Sequence, residues 1–372
     1  MIRVLHVCNH TDAAVAGRSI LNLLAHYDRA SFELELAAPR GNYLLAAAEK
    51  LDTKVHPLDS LRDKNRDCKS MRIFGRLIRS VDHQIIHSHG ALGARIAAKR
   101  AGRKTVCTQY GTLLQTRREN HPFFRWLTRQ MTEHYTDAIL ADSTAAKQSL
   151  IDSGVRSERV EIIRNGVPAE KRLTPEEIAI EKNHYGISGN RFVLGMLSDM
   201  GATAGHAYVL DAVHSLKSAG KPVVLLIAGA GALQEQLKAT TQAMGLNDCV
   251  IFTDAADTRN LLSLLDVQIN AAHGSGASDL TLPQGMSMGI PAVATNCGGN
   301  PDVITNGENG LLVPVKDPAA LAAAVVSLME NKLTYIQMTK TCVQTFNERF
   351  TADRYAHKTE EIYTKLAGGT NL

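Results

Sequence analysis

Thirteen short apolar runs punctuate the chain of 372 residues, and stretches with helical periodicity lie between them. Seven fall in the front half: "IRVLHV", "FELELAA", "TKVHPL", "HQIIHSH", "KTVCTQ", "DAILAD" and "VEIIRNG". Six follow in the back half: "RFVLGMLS", "PVVLLIAG", "CVIFTD", "DVQINAA", "IPAVAT" and "NGLLVP". Short aliphatic runs bounded by turn residues read as strands buried on both faces, and their alternation with helices builds parallel sheets. Patterns such as "GRSILNLLAHY" and "ALGARIAAKRA" supply the crossovers. The fold class is therefore α/β, with two Rossmann-like doubly wound halves.

A chain of this length exceeds what one core usually supports, so two domains are expected. Residues 1–168 form the first and 191–347 the second. Between them, 169–190 read as a linker, where Pro168, Pro175, Gly186 and Gly189 bracket a polar helix. Residues 348–372 end the chain as a helix with no strand after it. Two such halves facing each other would leave a cleft at the carboxyl ends of both sheets, where ligands of this architecture bind.

No apolar run approaches the roughly 18 residues of a membrane span. The opening "MIRVLHVCNH" reads as a first strand and not as a leader, which points to the cytoplasm. The six cysteines show no Cys-x-x-Cys spacing and the fourteen histidines no His-Glu-x-x-His, so reduced thiols and no metal are expected. Residues 1–168 hold 26 Lys and Arg against 17 Asp and Glu, a balance of +9, while residues 169–372 hold 15 against 20, a balance of −5. A basic front half suits an anionic partner such as a lipid headgroup or a phosphorylated acceptor, and a solvated basic surface explains it equally. No recognition motif for nucleic acid accompanies the charge.

Glycines mark the places where an anion could approach backbone. "LLIAGAGALQEQL" is a strand, a Gly-x-Gly turn at Gly229 and Gly231, and a helix start; Gln234 stands where a dinucleotide fingerprint needs its third glycine. In "NCGGNPDVITNGENGLLVPVKDPAALAAAV", Gly298 and Gly299 lead into a short helix, and Asp317 with Pro318 caps the next.

The order of these parts, with "IIRNGV" at 162–167 and "GMLSDMGATAGHAYVLDAV" at 195–213, resembles family 4 of the retaining glycosyltransferases, which have the two-domain GT-B architecture. The similarity covers nearly the whole chain. It implies a UDP-, GDP- or ADP-sugar donor held by the second domain, and an acceptor, a glycan or lipid-linked, presented by the first. It implies a last helix that crosses back to the first domain, and a role in cell-envelope polysaccharide synthesis. Asn165, Gly229, Gly298 and Gly299 match its framework, and the resemblance implies that they contact the nucleotide-sugar donor.

The side chains that carry the family's chemistry do not match. Asp199 stands at the position of the donor-binding arginine and Ala204 at that of the lysine. Gly276 and Gln284 stand at the two glutamates, and Tyr110 at the histidine over the sugar. Ala14 and Val15 replace a Gly-Gly turn on the acceptor side, where His89 also lies. Losing two charge-assisted contacts to a diphosphate costs ~3–6 kcal/mol.

Smaller candidates remain. His87 and His89 in "IIHSHG" are expected on alternate faces of a strand end, with one of them lining the cleft or both bonded to backbone. His206 should start a helix. His273 and Asp279 could form a replacement acid-base pair. "RRENHPFFRWLTRQM" at 117–131 suits a membrane-surface helix, or an ordinary helix packing its aromatics into the first domain. The resulting reading is a transferase-like protein with an inactive or strongly impaired site. Two alternatives stand beside it: an active enzyme with an unconventional donor site, and a non-catalytic partner of an active transferase.

Overall fold

The computed structural model describes residues 1–8, 14–59, 68–113, 121–254, 257–274 and 280–368, with Ala14, Cys68 and Lys69 described by backbone alone. The chain divides into two units, Met1–Val167 with Phe350–Leu372, and Pro168–Arg349.

The first unit runs β1 (Ile2–Cys8), α1 (Ala14–His26), β2 (Phe32–Pro39), α2 (Tyr43–Glu49), β3 (Val55–Leu58), α3 (Cys68–Ser80), β4 (Ile85–His89), α4 (Leu92–Arg100), β5 (Lys104–Gln109), α5 (Pro122–His134), β6 (Ala138–Ala141), α6 (Thr144–Asp152) and β7 (Val160–Ile162). The second runs α7 (Pro175–His184), β8 (Phe192–Leu197), α8 (His206–Ser218), β9 (Val223–Ala228), α9 (Gln234–Ala243), β10 (Val250–Thr253), α10 (Thr258–Leu264), β11 (Val267–Asn270), α11 (Thr281–Ser287), β12 (Ala292–Thr295), α12 (Asn300–Val303), β13 (Gly310–Val313), α13 (Pro318–Glu330) and α14 (Lys332–Arg349). The final helix, α15 (Ala352–Ala367), belongs to the first unit.

Both sheets are parallel and share one topology. The first has the order β3-β2-β1-β4-β5-β6-β7, the second β10-β9-β8-β11-β12-β13. Each reverses direction once, between β1 and β4 and between β8 and β11, and such a switch point is where a doubly wound sheet opens for a ligand. Strand period two sorts the core onto both faces. In β1, Val4 and Cys8 pack with Ile85 beneath α1 and α15, while Leu5 and Val7 pack with Phe74 and Ile78 of α3 on the other face. In β8, Leu194 and Met196 pack under α8 and α13, and Val193 and Leu197 pack with Leu261 and Leu262 of α10.

Local chemistry sets the helix ends. Thr174 and Glu177 form a reciprocal capping box at α7. Asp317 caps α13 through the Ala320 amide, with Pro318 in the first turn, as the sequence pattern predicts. In α11, Pro283 lies in the first turn, where a missing amide hydrogen is tolerated. The polar segment after Pro168 is part of the second unit, with α7 packed against α10.

The seat of α15 is built by backbone. Val167 donates to the Phe350 carbonyl at 2.9 Å, and Ala352 donates to the Val167 carbonyl at 3.0 Å. Gly166 lies between them because a Cβ there would collide with the Thr351 carbonyl. The seated helix then buries Tyr363 and Ile362 completely. Each such side chain contributes about 1.5–3 kcal/mol of hydrophobic stabilisation.

One expectation is overturned in part. Of the aromatics of "RRENHPFFRWLTRQM", Phe123 and Trp126 are exposed and do not pack into the first unit, while Phe124 is half-buried; none of the residues of α5 is fully buried. Arg117 and Arg118, at the start of that stretch, lie outside the described residues.

Candidate functional site

The two switch points carry most of the predicted site residues, and each unit builds its own end. In the first sheet, parallel pairing sets His6 opposite His87 and Cys8 opposite His89. Residues two apart on a strand share a face, so His87 and His89 point the same way and not to alternate faces. Their rings stack with centroids 4.4 Å apart, and His6 lies 4.9 Å from His87 and 5.2 Å from His89. All three are buried, and each bonds other side chains.

These bonds form one chain of fixed direction. Ser19 Oγ lies 2.6 Å from Asn165 Oδ1 and 3.0 Å from the Tyr355 hydroxyl. An amide oxygen only accepts, so the single Ser19 proton goes there and Tyr355 donates to Ser19. Tyr110 is bonded to both Tyr355 and Ser19, whose own protons are already placed, so Tyr110 donates into this pair. His89 Nδ1, 3.0 Å away, then donates to the Tyr110 oxygen. His89 Nε2 accepts from His6 Nδ1 at 2.9 Å, and His6 Nε2 accepts from Tyr363 at 3.3 Å. Tyr363 accepts from His87 Nδ1 at 2.6 Å, and His87 Nε2 accepts from Thr108 at 2.7 Å. In this direction each imidazole is neutral with its proton on Nδ1.

Burial enforces that neutrality. It pushes His6 down to about 3 and His87 well below its ordinary value. It also raises Tyr110 well above the usual phenol range, so Tyr110 stays protonated. Asp142 fixes the adjoining turn, accepting from the Gly111 amide at 3.1 Å. Tyr110 is half-buried and its hydroxyl turns inward, so the proton it would offer a ligand is already engaged.

His6, His87 and His89 are also the group of possible metal ligands among the described residues, with one ring nitrogen of each within 4.8 Å of the others. The hydrogen-bond chain uses both nitrogens of every ring, so a metal would have to break it. Sequence spacing gave no hint of this cluster, because His6 and His87 meet only through the pairing of β1 with β4.

Other predicted residues of this unit have scaffold surroundings. Asn165 is buried and accepts from Ser19. Ala14 is the first residue of α1, and Val15 follows it, half-buried.

In the second sheet, the loops after β8, β9 and β11 interlock at the switch point. Met200 donates to the Ala230 carbonyl at 2.8 Å, and His273 donates to the Thr203 carbonyl at 3.0 Å. Gly229 abuts the Ser198 carbonyl. Gly205 holds a φ of 88° and faces the Ala271 carbonyl, where a side chain would collide. Here Asp199 is exposed, while Ala204 is half-buried against the core. His206 starts α8, as expected, and burial pushes it down to about 4.

Gly298, with a φ of 57°, and Gly299, at the start of α12, turn the chain into that helix. Asn300 pins the turn by donating to the Thr295 carbonyl at 3.0 Å and to Asn270 at 3.2 Å. Gln284 lies half-buried on α11. Gly276 lies outside the described residues, as does Asp279, so its pairing with His273 is not described. His273 sits edge-on to Tyr208 with ring centroids 5.4 Å apart. Burial, and then the nearby Lys316 charge, push His273 below its ordinary value. The sequence reading had passed over Lys316.

Two parallel sheets of the same strand order, the first longer by the edge strand β7 and each open at its switch point, define a GT-B type protein. Residues 191–331 match the family model described as "Glycosyl transferases group 1", and residues 16–171 match "Glycosyltransferase Family 4". The chain belongs to the family 4 glycosyltransferases. It is 24% identical over 313 residues to the UDP-Gal:alpha-D-GlcNAc-diphosphoundecaprenol alpha-1,3-galactosyltransferase of Escherichia coli, across 81% of this chain and 80% of that one. In fold it is similar to Anabaena Alr3699/HepE, solved in complex with UDP and glucose, with a TM-score of 0.84 at 18% identity over 98% of this chain and 100% of that one. A glycosyltransferase from Rickettsia africae ESF-5 gives 0.86 at 19% identity over 98% of both chains.

Proposed function

We propose that this chain keeps the donor-side framework of a nucleotide-sugar transferase but grips a nucleotide-diphosphate sugar weakly, so that sugar transfer is strongly impaired. One observation carries the reading: where the family sets its arginine and lysine, the β8 loop presents an exposed carboxylate, Asp199, and a methyl group, Ala204. A carboxylate beside a diphosphate repels it, and a developing charge on the leaving phosphate finds no cation there. The engaged hydroxyl of Tyr110 supports the same reading, because it has no proton to offer a sugar. The acceptor class is a glycan or lipid-linked sugar of the cell envelope, with the first unit at a membrane surface. As an impaired transferase, the chain would act as the partner subunit of an active one.

Lys316 favours a second reading. It is exposed, follows β13 and lies close enough to His273 to lower its pKa, so it offers a cation away from the family's position. In that case the chain is an active enzyme with an unconventional donor site. Calorimetry with UDP-, GDP- and ADP-sugars separates the two. No heat up to millimolar donor is the expected result. Micromolar binding that is lost in Lys316→Ala, accompanied by turnover, would replace the first reading with the second.

A further inference from the structure

His87 and His89 stand on one face of β4, and His6 joins them from the neighbouring strand β1. Two imidazoles two residues apart on a strand, with a third beside them, bring three nitrogen donors to one point. One ring nitrogen of each lies within 4.8 Å of the others. Zinc bonds of about 2.0–2.1 Å in a tetrahedron set the ligand atoms about 3.3 Å apart. The observed separations bracket that value, from 2.9 Å between His6 Nδ1 and His89 Nε2 to 4.8 Å at most, so small ring rotations suffice.

A fourth donor and the supporting contacts are present too. The Tyr363 hydroxyl lies 2.6 Å from His87 Nδ1 and 3.3 Å from His6 Nε2, so it reaches the same point from α15. Metal-bound imidazoles hold their orientation by donating the other ring N–H to an oxygen. His89 has that oxygen in Tyr110, 3.0 Å from Nδ1, which leaves Nε2 turned toward the cluster. His87 has it in Thr108, 2.7 Å from Nε2, once the ring proton moves from Nδ1 to Nε2 and the hydroxyl turns to accept. Burial keeps His6 and His87 unprotonated at neutral pH, so protons do not compete for their lone pairs. The charges that act on these two rings come from other histidines, with no lysine or arginine among them.

We propose that His6, His87, His89 and Tyr363 form a zinc site, whose occupation replaces the hydrogen-bond chain within the cluster. Imidazole nitrogen and an anionic oxygen both suit this ion, which is content with four ligands in a tetrahedron. Each imidazole gives one lone pair and keeps one N–H. Tyr363 gives an oxygen lone pair and releases its proton to water, so one proton leaves for each zinc bound. Burial alone holds the Tyr363 phenol protonated, and a direct bond to a dication reverses that order. The hydrogen bonds given up by His6, His87 and His89 keep the affinity in the micromolar range. Bound zinc clamps β1 and β4 to α15, within the first unit and whether or not a sugar is transferred.

The full chain, stripped with a chelator, is titrated with zinc and with cobalt. The expected result is one ion held at micromolar concentration, with the intense visible absorption of tetrahedral cobalt and no thiolate band. Calorimetry across buffers should find one proton released per ion, and the melting temperature should rise with zinc because the ion binds only the folded chain. Nitrogen NMR of the wild-type chain should show His87 switching from Nδ1–H to Nε2–H, with shifts at His6 and His89. His89→Gln should lower the affinity by more than the roughly 10–100-fold that losing a partner behind a ligand costs. If that variant does not fold, the wild-type spectra decide. Zinc held only by exposed histidines such as His214 and His357 leaves the three buried imidazole signals unmoved and overturns the proposal. So does unchanged affinity in folded His89→Gln, or a melting curve indifferent to zinc.

Discussion

His6 Nδ1 lies 2.9 Å from His89 Nε2, with the two ring planes 13° apart. This contact couples the first strand to the end of β4 and, through Tyr363 and Tyr355, to both ends of α15. The direction of the chain follows from one carboxamide oxygen at its end, that of Asn165. Nitrogen NMR should find all three histidines as the Nδ1–H tautomer. Tyr363→Phe leaves the His87 donor and the His6 acceptor without partners, both of them buried. That should cost about 2–6 kcal/mol in urea unfolding, since each orphaned group costs roughly 1–3. A loss under about 1 kcal/mol, or Nε2–H tautomers, would refute the assigned direction.

Acid should weaken the fold before the carboxylates titrate. Burial pushes His6 down to about 3, and His83 and His206 to about 4. Each is neutral in the fold, while the unfolded chain takes up protons below about pH 6.5. Their stabilisation is therefore complete above pH 6.5 and is lost as pH falls toward 4 and 3. His6 alone contributes a slope of ~1.4 kcal/mol per pH unit in that window. Urea midpoints at pH 7.5, 6.5, 5.5 and 5.0 should fall steadily. A flat profile down to pH 5 would mean that these imidazoles are not buried as described.

The strands were legible because their burial on two faces writes continuous aliphatic runs, and each of the thirteen runs became a strand. Helix α14 was harder to read. Only Met338, Cys342 and Phe346 of it are buried, a stripe four residues apart among threonines and charges. The histidine cluster was out of reach for a different reason. His6 and His87 are distant in sequence, and their meeting depends on strand order, which local periodicity does not encode. The period-two rule would still have put His87 and His89 on one face. Tyr355 and Tyr363 read as ordinary helix positions until the seat of α15 is known. Asn165 was read as a donor contact through resemblance, and its structural partner is Ser19.

Gly205 and Gly220 separate crowding from backbone strain. Both have positive φ, 88° and 69°. Around Gly220 there is open space, whereas a Cβ on Gly205 would strike the Ala271 carbonyl. Gly220→Ala should cost about 1–2 kcal/mol from the left-handed backbone alone. Gly205→Ala should cost more, because the β8 and β11 loops must part, and it should also accelerate amide exchange at Thr203 and His273. Equal unfolding midpoints for the two variants would show that the switch-point loops are not interlocked.

Asp199→Arg combined with Ala204→Lys tests the electrostatic core of the functional reading. Both positions lie at the β8–β11 switch point; Asp199 is exposed, so an arginine there displaces no core atoms, whereas a lysine at the half-buried Ala204 must lead its stem past the core that Ala204 touches. Two charge-assisted contacts should raise affinity for UDP or UDP-glucose by about a hundredfold to several thousandfold. Removing the Asp199 carboxylate adds to this, and the gain should shrink with salt because the new charges are screened. Turnover should stay low, because Tyr110 and Gln284 still stand where the family has a histidine and a glutamate. Tyr110→His in the same background is the natural next step, since an imidazole there can still accept from His89. Calorimetry on the double variant decides the matter: if nucleotide binding stays absent, the missing cations are not what closes this site to a donor.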